Sequence, residues 1–133
     1  MNRIVVVEDD RNNADFFERL LSRKLGCEVL IAQRPEDLFE ACANGDVGVV
    51  LMDVSLEQWT FEGSPVSGIQ LCRLLRSNPD TAAIPIVLAT AHAMHGDAER
   101  LLEESGANEY VSKPIADVAR FVERIRHWMA RAA

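Results

Sequence analysis

The chain has 133 residues, 48% of them apolar, with 14 Lys+Arg against 21 Asp+Glu and a formal net charge of −7. That usage suits one compact domain over residues 1–133, long enough to bury a core without disulfides or a structural metal. The acidic balance, with no basic cluster interleaved with aromatics, argues against nucleic acid as a direct partner, and no apolar run approaches bilayer length, so a cytoplasmic protein without membrane contact is expected.

Residues 4–7 form a β-branched run that ends at Glu8-Asp9-Asp10. A helix is expected over 11–25, where Ala14, Phe17, Leu21 and Leu25 recur at three and four residues and Gly26 stops the pattern. A second strand at 29–32 is followed by a helix opening with Pro35 and closing at Asn44-Gly45. The third strand, 49–52, runs into Asp53 and then into the longest stretch without periodicity, up to Ser67, an N-cap for a helix carrying Ile69, Leu71, Cys72 and Leu75. Asn78-Pro79 ends that helix. A fourth strand, 86–89, a helix ending at Gly106 with Leu101 and Leu102 inward, and a fifth strand at 110–111 follow. The last helix starts near Asp117 with the stripe Val118, Val122, Ile125 and Met129. Cys27, Cys42 and Cys72 are odd in number and far apart, and read as small hydrophobes in a reducing compartment.

Five strands, each followed by a helix and each too far from the next for a hairpin, imply an α/β fold: a doubly wound five-stranded parallel sheet with helices on both faces. Ligands of such sheets bind beyond the carboxyl ends of the strands. The first strand delivers Glu8, Asp9 and Asp10 there, the third Asp53, the fourth Thr90 and Ala91, and the fifth Lys113 and Pro114. With the flavodoxin-like order 2-1-3-4-5, strands one and three are neighbours and Asp9 approaches Asp53. Carboxylates gathered in one pocket need a cation, and oxygen donors without His or Cys select a hard ion, Mg2+ with Mn2+ as the alternative. A carboxylate nucleophile, a divalent cation, the Lys113 ammonium and the Thr90 hydroxyl are together what phosphoryl transfer onto an oxygen requires.

At this point the sequence resembles the receiver domains of two-component response regulators. Val7-Glu8-Asp9, Leu51-Met52-Asp53, Ala89-Thr90-Ala91 and the run from Gly106 through Lys113-Pro114 carry the resemblance, in order, over essentially the whole chain. The resemblance implies that Asp53 is the phosphoacceptor, receiving a phosphoryl group from a histidine kinase or histidine phosphotransfer protein. It further implies that Asp9 binds Mg2+ directly, Glu8 acts through metal-bound water, and the Ser55 backbone carbonyl completes the protein ligands. Asp10 reads as a helix-start residue. Thr90 and Lys113 would hold the phosphoryl oxygens, the Lys113-Pro114 bond would be cis, and Thr90 with Tyr110 would form the switch that biases contacts with a downstream protein. Such a protein signals rather than turning over a substrate. With the chain ending shortly after the fifth helix, a stand-alone regulator is expected, with homodimerisation through the fourth helix, fifth strand and fifth helix as an option.

Other readings compete. A receiver-like interaction module would dock partners without phosphorylation. A haloacid-dehalogenase-type phosphatase needs a second Asp where Ser55 stands, a flavodoxin would not place Glu8-Asp9-Asp10 against a phosphate, and no P-loop motif is present. The stretch from Val54 to Ser67 is longer than the usual receiver loop, and its Trp59 and Phe61 either pack onto the loop and third helix or lid the site. His92 is either a solvated loop residue or a group that orders water at the phosphate.

Overall fold

The computed structural model describes residues 3–91 and 97–132, so His92 and its suggested role lie outside the described residues. Five parallel strands make one sheet: β1 (Arg3–Val7), β2 (Glu28–Ala32), β3 (Val47–Asp53), β6 (Ile86–Thr90) and β7 (Glu109–Ser112), in the order β2-β1-β3-β6-β7. This is the 2-1-3-4-5 order expected from the sequence. The helices are α1 (Arg11–Leu25), α2 (Pro35–Ala43), α3 (Gly68–Ser77), α4 (Asp97–Ser105) and α5 (Val118–Ala132).

The period of two along each strand divides the core. Ile4, Val6, Val49, Leu51, Val87 and Ala89 face Phe17 and Leu21 of α1 and Phe121, Val122 and Ile125 of α5. Val5, Val7, Val50, Met52, Ile86 and Leu88 face Leu38 and Cys42 of α2 and Leu71, Cys72 and Leu75 of α3, with Leu101 and Leu102 of α4 at the margin. Every residue of β3 and β6 is buried, as helices on both faces require. Each fully buried Leu, Ile or Val contributes roughly 1.5–3 kcal/mol through removal from water, so these central strands are the fixed frame on which the site stands.

Local chemistry sets the helix ends. The Asp10 carboxylate accepts the N–H groups of Asn12 (2.9 Å) and Asn13 (3.1 Å), which caps α1 and bears out the helix-start reading of Asp10. Gly26 closes α1 at φ 62°, a left-handed conformation that costs glycine nothing. Ser67 and Gln70 form a reciprocal capping box on α3. At the sheet edge, Glu109 accepts from the Arg124 guanidinium at 2.6 and 3.0 Å and from the Trp128 indole at 2.8 Å, fastening β7 to α5.

Two expectations are corrected. The stretch after Asp53 is not irregular: β4 (Thr60–Phe61) and β5 (Ser64–Pro65) pair as an antiparallel hairpin, turned by Glu62 at φ 53° and Gly63 at φ 84°. Two-residue strands are too short to show alternation, so periodicity could not find them. In α5, Val118 is 37% exposed and Phe121 takes its place in the buried stripe, because the helix begins only at Val118 and its inward face starts at Phe121.

Candidate functional site

The sheet brings three strand ends to one point. Glu8 follows β1, Asp53 is the last residue of β3, and Lys113 follows β7. Their heights are fixed by the ladder: Val7 lies opposite Met52, Asp53 opposite Ala89, and Thr90 opposite Ser112. Beyond the last paired residues, the Val54 N–H donates to Ala89 O at 3.1 Å and the Lys113 N–H to Thr90 O at 2.9 Å, which carries the register into the site. The Lys113-Pro114 bond is cis, as the resemblance implied.

Lys113 Nζ lies 3.1 Å from Glu8 Oε2 and 3.3 Å from Asp53 Oδ1. Both carboxylates are buried, Glu8 at 6% and Asp53 at 3% exposure. Glu8 Oε1 also accepts the Asp10 N–H at 3.2 Å, and Asp53 Oδ1 accepts the Ser55 N–H at 3.2 Å. Asp9, in contrast, is exposed, and its Oδ2 accepts the Glu57 N–H at 3.0 Å. Thr90 is buried at the end of β6, while Tyr110 on β7 is 37% exposed, so its ring is not part of the core.

Burial pushes the Asp53 carboxyl up to about 7, reinforced by the charge of Glu8 and opposed by that of Lys113. Lys113 is shifted too: burial alone would lower it, but the hydrogen bond to Glu8 and the charges of Asp53 and Glu8 raise it above its ordinary value. Among the described residues one ammonium therefore serves two buried carboxylates, which leaves their negative charge in excess. Carboxylate oxygens of Glu8, Asp9 and Asp53 lie within 4.8 Å of one another. An all-oxygen donor set with surplus negative charge fits a hard divalent cation.

The cleft above these groups has a volume of about 430 Å3 and is walled by Asp10, Asn13, Ser55, Glu57, Gln58 and Ala91 as well as the charged residues. A larger groove, about 690 Å3, runs beside it between α1 and β2 and shares Glu8, Asp9 and Gln58, but neither Asp53 nor Lys113 reaches it. The chemistry therefore belongs to the smaller cleft.

Glu8, Asp9, Asp10, Asp53 and Lys113, singled out in the sequence at the ends of the first, third and fifth strands, meet here. Trp59 and Phe61 do not lid the cleft. Trp59 is buried in the core with Leu56 and Val66, all three belonging to the insert between β3 and α3, and the Phe61 ring packs against Phe39 of α2 at 5.3 Å. Two contributions were not foreseen. The Glu57 amide reaches Asp9 from inside the insert, and no residue type announces a backbone donor. At Gly68 a Cβ atom would stand 2.0 Å from the Asp53 carbonyl oxygen, so only glycine lets α3 start against the end of β3. The glycine after the Ser67 cap was the available signal.

A family model for the response regulator receiver domain matches residues 4–126. The chain belongs to this family. The receiver is 30% identical over 129 residues to the polar-differentiation response regulator DivK of Brucella ovis, with 97% of each chain covered. Among solved structures it is similar to the receiver domain of a sensor histidine kinase from Pseudomonas aeruginosa PAO1, at 26% identity and TM-score 0.78, covering 97% of this chain and 98% of the other. That structure is described with a magnesium ion coordinated in its active-site cleft. A putative response regulator from Chloroflexus aurantiacus matches at 28% identity and TM-score 0.81, covering 98% of both chains. Two-component signalling is thus the setting of this receiver. No helix among the described residues is long and apolar enough to cross a membrane.

Proposed function

We propose that this receiver is a phosphoacceptor whose Asp53 takes a phosphoryl group from a phosphohistidine of a histidine kinase or histidine phosphotransfer protein. The observation that carries this is the placement of the Asp53 carboxylate, buried at a strand end, with Oδ1 3.3 Å from Lys113 Nζ and a carboxylate oxygen within 4.8 Å of ligand oxygens of Glu8 and Asp9. An Asp53 oxygen forms the new bond to phosphorus as the bond to the donor's imidazole nitrogen breaks, and the bonding pair leaves with the imidazole. Lys113 donates to a phosphoryl oxygen from its present position between the carboxylates, and Thr90, at the end of the neighbouring strand, holds a second.

Asp9 and Asp53 would bind Mg2+, or Mn2+ in its place, with the Ser55 carbonyl as a further ligand and Glu8 acting through ion-bound water. The bound cation would supply the positive charge that brings Asp53 to its ionised, nucleophilic form at neutral pH and offsets charge on the phosphoryl oxygens. Thr90 and Tyr110 would then convert the modification into altered contacts with a downstream protein in the cytoplasm. Tyr110, exposed on the edge strand, has an outward position from which to turn. The protein is modified by this reaction and signals through it.

Intact-mass spectrometry after treatment with acetyl phosphate and Mg2+ tests the assignment. The wild type should gain one phosphoryl group and Asp53→Asn none. A folded wild type with no adduct would favour a receiver-like module that docks partners without phosphorylation.

A further inference from the structure

The insert between β3 and α3 is an ordered unit with two anchors. Leu56 and Trp59 are both buried in the core that also holds Val66. The Trp59 N–H donates to Leu56 O at 3.3 Å, the Val66 N–H donates to Trp59 O at 3.1 Å, and the hairpin beyond is held to α2 through Phe61 and Phe39. Glu57 sits between the two anchors, so its backbone has little freedom although its side chain is exposed. Its N–H is the group that reaches Asp9 Oδ2 at 3.0 Å.

Asp9 needs such a contact. It is the exposed member of the carboxylate trio, on the loop between β1 and α1, whereas Glu8 and Asp53 are buried and held by Lys113. An exposed aspartate otherwise loses rotamer freedom when it ligates an ion, and a hydrogen bond that fixes it beforehand removes that cost. Partners that orient a ligand in this way typically account for 10–100-fold in metal affinity.

We propose that the insert positions Asp9 for the divalent cation: the Glu57 backbone N–H, clamped by Leu56 and Trp59, holds the Asp9 carboxylate in place and thereby tightens cation binding. Glu57 acts as a positioning residue through its amide. The inference rests on the reading of Glu8, Asp9 and Asp53 as a Mg2+ site and explains what the insert contributes to it.

The test is calorimetric titration of the full chain with Mg2+ alone. Glu57→Ala and Glu57→Pro both remove the side-chain charge, but only proline removes the N–H. Proline is expected to bind Mg2+ about tenfold more weakly than alanine. Trp59→Ala should weaken binding in the same direction and Trp59→Phe should restore most of it. Equal affinities for the two folded Glu57 variants, with the wild type binding Mg2+, would overturn the positioning role alone; a folded wild type that binds no Mg2+ would overturn the cation site and this inference with it. If Glu57→Pro does not fold, hydrogen exchange of the Glu57 amide in metal-free protein decides. Slow exchange that accelerates in Asp9→Ala supports the proposal, and the same rate in both proteins overturns it.

Discussion

The Lys113 ammonium stands 3.3 Å from Asp53 and 3.1 Å from Glu8, a single cation shared by two buried carboxylates. Replacing it by methionine keeps much of the apolar stem and leaves the two acids facing each other without compensation. Lys113→Met is expected to lose about 3 kcal/mol in urea unfolding at pH 8. The loss should shrink at pH 5, where Asp53 is protonated, and labelling of Asp53 by acetyl phosphate should fall sharply.

Because the Asp53 carboxyl is raised to about 7 in the folded protein but titrates near 3.8 when exposed, the folded chain holds the extra proton between those values. Stability contributed by the protonated form is therefore present at low pH and is lost as pH rises through about 7. Asp53→Asn, uncharged throughout, should be more stable than wild type at pH 8 in EDTA by on the order of 2–4 kcal/mol. The advantage should disappear toward pH 4, and Mg2+ should narrow it at pH 8 by stabilising the wild type. Thermal melts of both proteins across this range, with and without Mg2+, measure it.

Gly68→Ala would normally favour a helix. Here the new Cβ meets the Asp53 carbonyl oxygen at 2.0 Å and the Met52 side chain at 3.1 Å. The neighbour is backbone at the end of the sheet's central strand, held by the ladder to β6, and cannot yield locally, so a loss of about 2–3 kcal/mol is expected where an ordinary helical Gly→Ala change gains up to about 1. Urea unfolding gives the sign directly, and slower Asp53 labelling should accompany it.

Arg76, near the end of α3, ties the 82–84 and 106–108 segments to that helix. Its guanidinium donates to Gly106 O at 2.8 Å, Ala82 O at 2.9 Å, Ile84 O at 2.6 Å and the Asn108 side-chain oxygen at 2.9 Å, and Asn108 in turn accepts the Ile86 N–H at 2.8 Å. Lysine keeps the charge but not the fork. Arg76→Lys is expected to cost about 2–3 kcal/mol and to speed amide exchange at Ile86, read by denaturant unfolding and NMR.

What could be read in advance follows from the physics of each signal. The five sheet strands and their order were legible because apolar runs separated by helical periods leave few topologies, and Glu8, Asp9, Asp53 and Lys113 because strand ends in such sheets converge. The β4–β5 hairpin was not, since two-residue strands carry no alternation and the turn falls at Glu62-Gly63 rather than at one of the commoner pairs. The role of Arg76 depends on oxygens of the 82–84 and 106–108 segments, which its place on α3 does not announce. The Glu57 amide shows the general limit: side-chain chemistry is written in the sequence, whereas a main-chain donor acquires its role only from where the chain passes.

The hairpin closes on itself. With the Val66 N–H already on Trp59 O, residues 60–65 leave and rejoin the body at adjacent points, and the frame beneath them is complete without their tip. That makes the tip a natural splice port: a peptide tag or a small sensor sequence could replace the Glu62-Gly63 corner while the strand ends below keep their register.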